Sequence, residues 1–168
     1  MMQYFNILFF LLLSIATNAQ QMEQIQNVVT DLFIATDENN WIAVEKCFAE
    51  KVFLDYSSMS GQPAATLTPK DITTAWKGVL PGFTSTHHQI GNLRSTVDAN
   101  KAKVFCYGTA THFLEDEGGN VWTVVGTYDF HLQKQAEQWQ INRMTFHFKY
   151  QDGNAQLVQK AIAKQLTK

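Results

Sequence analysis

The sequence has few cysteines and no cluster of basic residues. Its two cysteines, Cys47 and Cys106, lie in apolar stretches at positions expected to face a core, where a free thiol packs as a small hydrophobic group. We therefore expect no disulfide bond, and two thiols are too few for a thiolate metal cluster. The 13 basic and 15 acidic residues nearly cancel, and no block of Lys or Arg occurs. Binding to nucleic acid depends on neutralising phosphates, so it is not expected.

The length and composition favour a single globular domain. A chain of 168 residues can bury one sizeable core but is too short for two comfortable domains. Its hydrophobic fraction of 45%, with 12% aromatic and 17% charged residues, is typical of an ordinary globular protein with an aromatic interior. No internal repeat or low-complexity tract is evident.

The N-terminal segment has the outline of a signal peptide. An apolar run over residues 5–15 is too short to cross a hydrocarbon core of about 30 Å, and Thr17 and Ala19 supply the small residues of a cleavage site. No Lys or Arg occurs in this segment, so only the terminal amine supplies the usual positive charge. We predict a signal peptide over residues 1–19 and a mature domain over residues 20–168. The protein is then exported to the periplasm or the medium, with no stable membrane insertion after processing.

Apolar residues at three- and four-residue spacing predict two N-terminal helices. The first runs from Gln20 to near Thr36, and the second carries an apolar stripe from Trp41 to Phe48. Residues 37–40 supply candidate caps between them. A further helix is predicted to begin at Thr68-Pro69-Lys70-Asp71, which combines a hydroxyl cap, a first-turn proline and an acidic residue, and to end at Pro81-Gly82. Residues 157–166 are predicted to form the last helix.

In the rest of the chain the apolar period changes to two, which predicts β-strands. A short strand is predicted over residues 52–56, and residues 57–66 are predicted to form a loop. Short turns separate the later strands and predict an antiparallel meander over residues 86–97, 103–114, 121–133 and 139–150. In the last of these the apolar phase slips, which predicts a β-bulge near Asn142-Arg143.

This order of helices and strands predicts an α+β fold shaped like an open cone. Three small residues, Gly108, Ala110 and Gly126, lie on the predicted inner face of the sheet. We expect them to leave a cavity for one small molecule.

Strand alternation separates the five histidines into two groups. His88 and His112 have the inward phase, whereas His87, His131 and His147 are expected to face outwards. A lone inward histidine is more often a satisfied core residue than a catalyst. Two inward histidines beside an acid and a tyrosine favour a functional site. Burying several titratable groups together costs stability, so we expect such a cluster where a function compensates for that cost.

Asp37 and Tyr56 complete the candidate catalytic set. Each has a structural alternative, since Asp37 could cap the second helix and Tyr56 could be a core aromatic residue. Trp76 and Trp122 are more simply explained by packing. The candidate ligand contacts are Tyr128, Trp76, Phe146 and Asn92.

Several stretches resemble the SnoaL-like domain of the nuclear-transport-factor-two-like superfamily, over Gln20 to about Asn154. They are DENNW at residues 37–41, FLDYSS at 53–58, LPGF at 80–83, THHQIGN at 86–92 and ATH at 110–112. The resemblance implies a cone-shaped fold in which N-terminal helices pack on a strongly curved antiparallel sheet. It does not specify one reaction, because this fold supports isomerases, cyclases, dehydratases, hydrolases and binders.

Within that superfamily the candidate site is most similar to the pocket of scytalone dehydratase. Matched by motif, Asp37, Tyr56, His88 and His112 take the places of an aspartate, a tyrosine and two histidines. The sequence departs from the pattern at Thr36, where the family enzyme has a tyrosine, and at Tyr128, where it has an asparagine.

The predicted function is a cofactor-independent lyase, isomerase or cyclase that moves a proton next to a carbonyl group of a small apolar substrate. We expect Asp37 to accept a hydrogen bond from His112, and His88 or His112 to act as general base and acid. Tyr56, with Tyr128, is expected to stabilise the developing enolate oxygen.

Two other functions and a dimer are considered. The same cone could be a non-catalytic binding module for a small apolar molecule. His88, His112 and Asp37 could also form the face of a metal site, but the usual ligand-spacing motifs are missing, so we expect no metal and no cofactor. Apolar residues on the outer face of the sheet predict a homodimer, among them Phe105, Val121 and Val125.

Overall fold

The structure is a computed structural model that describes the backbone of residues 2–167 and the side chains of residues 18–167. Across this part of the chain, no helix is both long enough and apolar enough to cross a membrane. The signal peptide predicted over residues 1–19 depends mainly on side chains outside the described set, so it stays a prediction.

The helices lie largely where apolar spacing predicts them. Helix α1 spans Met2–Asp37, α2 spans Trp41–Cys47, α4 spans Pro69–Lys77 and α5 spans Leu157–Leu166. The cap of α2 is Asn40, whose side chain accepts a hydrogen bond from the Ala43 backbone N–H at 3.2 Å. The predicted capping box of α4 is confirmed, because the Thr68 and Asp71 side chains each bond the other's backbone N–H.

Six strands form one curved sheet in the order β2-β1-β6-β5-β4-β3. The predicted antiparallel meander is confirmed as β3 to β6, while β1 lies parallel to β6. The strands are β1 Phe48–Asp55, β2 Ala65–Leu67, β3 Ser85–Asp98, β4 Lys101–Phe113, β5 Val121–Gln135 and β6 Gln138–Gly153.

The segment before α4 differs from its prediction. Residues 57–66 are not one loop, because Ser57–Ser60 forms the single-turn helix α3 and Ala65–Leu67 pairs with β1 as an edge strand. Phe48 begins β1 rather than ending α2. Both elements are too short for an apolar period to be recognised.

The predicted bulge in the last strand is confirmed. His131 pairs with Arg143 and Leu132 pairs with Ile141, so Asn142 is the extra residue on β6. The bulge restores an inward phase to Met144 and Phe146, both buried.

The core lies between α1 and the concave face of the sheet. Ile25, Val29 and Leu32 of α1 are fully buried with residues of the three long strands that follow β3. At one end α5 packs against the 3₁₀ turn Leu80–Gly82. A Cβ atom at Gly82 would lie 2.1 Å from the Ala161 carbonyl oxygen, so only glycine permits this approach. Cys47 and Cys106 are free and buried, as predicted.

Candidate functional site

The centre of the candidate site is a contact between Asp37, the last residue of α1, and His88 of β3. The His88 Nδ1 atom lies 2.7 Å from Asp37 Oδ1, and the His88 backbone N–H donates to Asp37 Oδ2 at 2.7 Å. The Thr86 hydroxyl donates to Oδ1 at 2.8 Å. The side chains of His88 and Asp37 are 13% and 18% exposed, so a small molecule can reach this pair from solvent.

Local structure explains why Asp37 faces the sheet instead of capping α2. The chain reverses immediately after Asp37, with Asn39 in the left-handed region at φ 55° and Asn40 as the cap. On β3, alternation points His87 outwards and His88 inwards, as predicted. The His88 ring stacks on Phe33 of α1, with ring centroids 5.3 Å apart.

The pKa of Asp37 reflects two opposing effects. Partial burial raises it, but the hydrogen bond and positive charge of His88, its backbone N–H and the Thr86 hydroxyl outweigh burial and hold the pKa below its ordinary value. Asp37 is therefore an ionised carboxylate at neutral pH. It can orient an imidazole and stabilise the imidazolium that forms when this imidazole accepts a proton.

The predicted pairing of Asp37 with His112 is wrong. His112 Nδ1 lies 3.3 Å from the Trp122 carbonyl oxygen, and its ring packs between Phe83 and Trp122. His112 is 5% exposed, and burial, reinforced by the charge of His88, lowers its pKa to about 4. At neutral pH His112 is therefore an uncharged imidazole. Its centroid lies 6.1 Å from that of His88.

The tyrosines predicted for the site lie side by side in the interior. Tyr56 follows β1, and its hydroxyl lies 3.9 Å from the sulfur of the buried Met144. Burial raises the pKa of Tyr56 and of Tyr128, and the hydroxyl of Tyr128 interacts with that of Tyr56. Phe146 packs against both rings, at centroid distances of 5.6 and 4.8 Å. Both tyrosines are therefore protonated phenols and can act as hydrogen-bond donors.

Aromatic rings occupy the space next to two of the small residues on the inner face. A Cβ atom at Gly108 would lie 2.3 Å from the Tyr128 ring, and one at Gly126 would lie 2.4 Å from the Phe146 ring. These glycines make room for aromatic rings. A groove of about 800 Å³ between α1, α2 and the turn joining β5 to β6 contains none of the predicted site residues.

Two predicted ligand contacts lie away from the Asp37–His88 pair. Trp76 packs edge to face on Phe48, at a centroid distance of 6.1 Å. Asn92 is exposed at an irregularity of β3, in the left-handed region at φ 55°. Among the described side chains, no group of three His, Cys, Asp or Glu residues converges as a metal site.

Thr86 and Phe33 contact the pair and were missed from the sequence. A signal for Thr86 was present, because residues two apart on a strand share a face and Thr86 precedes the inward His88 by two. Phe33 belongs to the apolar stripe of α1, and the sequence pattern does not distinguish it from the other core residues of that stripe.

Comparisons with solved structures show the same fold. The Kfla4162 protein of Kribbella flavida is 23% identical, with a TM-score of 0.80, and the match covers 84% of this chain and 99% of that one. A protein of Novosphingobium aromaticivorans, provisionally assigned as a scytalone dehydratase, is 21% identical with a TM-score of 0.72, covering 83% and 91%. The hexachlorocyclohexane dehydrochlorinase LinA-type3 of Novosphingobium barchaimii is 15% identical with a TM-score of 0.69, covering 82% and 92%.

The sequence itself establishes the family. No curated protein gives a significant match to the chain. A family model described as a SnoaL-like domain matches residues 17–145, which is most of the chain and includes Asp37, Tyr56, His88 and His112. The helices packed on a six-stranded curved sheet are those of the nuclear-transport-factor-two-like fold. The chain therefore belongs to the SnoaL-like domain family.

Proposed function

We propose that the chain is a cofactor-independent lyase, isomerase or cyclase that moves a proton next to a carbonyl group of a small apolar substrate. The observation that carries this proposal is the 2.7 Å contact between His88 Nδ1 and the Asp37 carboxylate at a partly accessible position. An imidazole held by a carboxylate is a common general base.

His88 is the base in this proposal. The carboxylate of Asp37 accepts a hydrogen bond from the His88 Nδ1–H group, which leaves the lone pair of Nε2 free to take a proton from the carbon next to the carbonyl. The imidazolium that results is stabilised by the adjacent negative charge. It then returns the proton at the product position as a general acid.

His112 has a different role. Its Nδ1–H donates to the Trp122 carbonyl oxygen, so the neutral ring presents Nε2 as an acceptor. A pKa of about 4 makes it a weak base at neutral pH, and we assign it to holding a substrate hydroxyl. The two imidazoles lie in different environments, so they take different roles. His88 is the base, and His112 is the binding group.

The phenols of Tyr56 and Tyr128 supply donors for the oxygen on which negative charge develops. Their pKa values are raised by burial, so both keep their protons at neutral pH. Solved relatives of this fold named as a dehydratase and a dehydrochlorinase support elimination chemistry, since those names denote the loss of water and of hydrogen chloride.

The proposal is tested by hydrogen exchange in deuterated water. A panel of cyclic ketones and β-hydroxy ketones is incubated with the protein, and loss of the proton next to the carbonyl is followed by NMR. Replacing His88 by Gln should lower the exchange rate by roughly 10²–10⁴. The matched control is His87→Gln, because His87 is adjacent but exposed. Equal exchange by the wild type and His88→Gln would refute the assignment of the base.

A non-catalytic binding module is the second candidate, favoured by the aromatic rings that line the inner face beside Gly108 and Gly126. In this case ligand-detected NMR on the same panel would show binding that depends on Phe146, with no exchange of any substrate proton. The two candidates therefore differ in a single measurement.

We also propose a homodimer and export of the mature chain. Three large residues on the outer face of the sheet are exposed in the single chain: Tyr107 at 47%, Val121 at 41% and Tyr150 at 56%. Light scattering of the wild type and of Tyr150→Lys tests the dimer. N-terminal sequencing of protein recovered outside the cytoplasm tests cleavage before Gln20.

A further inference from the structure

A row of basic residues crosses the outer face of the sheet, opposite the candidate site. In register, Lys103 of β4 pairs with His131 of β5, and His131 pairs with Arg143 of β6. Arg94 of β3 lies one row away, opposite Phe105. Directly opposed side chains on one face lie about 5 Å apart at Cβ, so these cationic groups are neighbours.

This row has no ion-pair partner among the described residues. Among the described residues, no carboxylate forms a salt bridge with Arg94, Lys103 or Arg143, and the Arg143 guanidinium lies over the Phe53 ring at 3.9 Å. Two acids lie near the row. Asp55 interacts with the charge of Arg143, and Asp129 interacts with His131, while Asp129 Oδ2 also bonds His147 Nε2 at 2.8 Å. Like charges placed directly opposite on a sheet destabilise it, so an anion bound between them would be favourable.

Three of these basic residues line a hollow of about 330 Å³. Its lining includes Arg94, Lys103 and His131, with Asp129 at one side. We propose that this hollow binds a tetrahedral oxyanion, the phosphate or sulfate group of a small ligand, through these three side chains. Donors arriving from three strands match an acceptor with oxygens in several directions better than a planar carboxylate.

His131 makes this binding depend on pH. Burial lowers the pKa of His131, and the charges of Arg143 and Lys103 lower it further, while Asp129 opposes them. A bound dianion supplies negative charge that favours the imidazolium, so binding takes up a proton and strengthens as pH falls. Other charged groups on this face include Arg94 on β3, Lys101 on β4 and Asp55 at the end of β1, whose carboxylate interacts with the charges of Arg143 and His147. His147 on β6 already bonds Asp129.

The experiment measures sulfate binding by calorimetry at constant ionic strength, near pH 5.5 and near pH 7.5. Sulfate is chosen because its own charge does not change across this range. We expect saturable binding that is several-fold tighter at the lower pH, and His131→Asn should remove the pH dependence. Lys103→Gln and Arg94→Gln should each weaken binding roughly tenfold or more, since each removes a charge-assisted hydrogen bond.

The matched control is Lys101→Gln. Lys101 is exposed on the same strand and face but lies one row beyond the hollow, opposite Asp98. Its loss should change affinity less than twofold by charge alone, as exposed charges are screened. Three results would overturn the proposal. Lys101→Gln could lose as much affinity as Lys103→Gln, acetate could compete as well as phosphate, or sulfate binding could fail to saturate. Inorganic phosphate that competes with sulfate would support it. None of these measurements depends on the proposed enzymatic activity.

Discussion

Replacing His112 by Asn should remove a large part of the acid sensitivity of the fold between pH 7.5 and 5. Burial and the neighbouring His88 charge lower the pKa of His112 to about 4, against an ordinary value of 6.5. Between these two values the unfolded chain binds a proton at His112 and the folded chain does not. Stability therefore falls as the pH drops below the ordinary value, and the loss is complete near the folded value.

The size of this loss follows from the two pKa values. Lowering a pKa from 6.5 to about 4 corresponds to roughly 3 kcal/mol of unfolding free energy over the full range. About 2 kcal/mol of this accrues between pH 7.5 and 5, where the unfolded histidine is already mostly protonated. This is a large share of the stability of an ordinary domain.

Urea unfolding at a series of pH values measures the effect. Asn keeps a donor for the Trp122 carbonyl oxygen but does not titrate, so the prediction concerns the pH dependence and not the absolute stability of the variant. The control is His87→Asn, which removes an exposed histidine and should leave the pH dependence unchanged. If His112→Asn loses as much stability as the wild type on acidification, His112 is not buried in its neutral form and the reasoning fails.

Two further predictions concern stability. Gly108→Ala should lower the free energy of unfolding by about 1–3 kcal/mol, because the new Cβ atom would lie 2.3 Å from the Tyr128 ring. The control is Gly91→Ala, whose Cβ atom would have no neighbour within 4 Å, so this variant should be neutral or slightly stabilising. Thermal unfolding of both variants checks this, and equal midpoints would contradict the packing. Thr86→Val should cost about 1–2 kcal/mol in urea unfolding through loss of its hydrogen bond to Asp37, with Thr96→Val as the exposed control on the same strand. If Thr86→Val does not change the free energy of unfolding, the hydrogen bond from Thr86 to Asp37 contributes nothing to stability.

Much of the fold could be predicted because its long elements carry strong patterns. The four strands from Ser85 to Gly153 keep a period of two over 13 to 16 residues each, and the phase slip beside Asn142 identified the bulge. The segment Ser57–Leu67 could not be predicted in the same way. A single-turn helix has no period, and the edge strand Ala65–Leu67 exists only because β1 offers it hydrogen bonds.

The members of the site were easier to predict than its contacts. Alternation identifies His88 and His112 as inward, since this depends only on the phase of each strand. The presence of a cavity could not be predicted from strand phase. Gly108 and Gly126 are compatible with an empty interior or with rings that pack against bare backbone, and the choice depends on Tyr128 and Phe146 from neighbouring strands.

Strand phase could not predict which histidine pairs with Asp37. Both imidazoles face inwards, so phase alone cannot choose between them. The choice follows from where α1 ends: its last residue lies against β3, where the backbone N–H of His88 and the Thr86 hydroxyl point at the same carboxylate as the His88 ring. One carboxylate has enough lone pairs to accept all three donors, and these bonds hold it at β3. His112 on β4 has instead a backbone carbonyl of β5 as its partner, and burial outweighs the effect of this bond and keeps the ring uncharged at neutral pH.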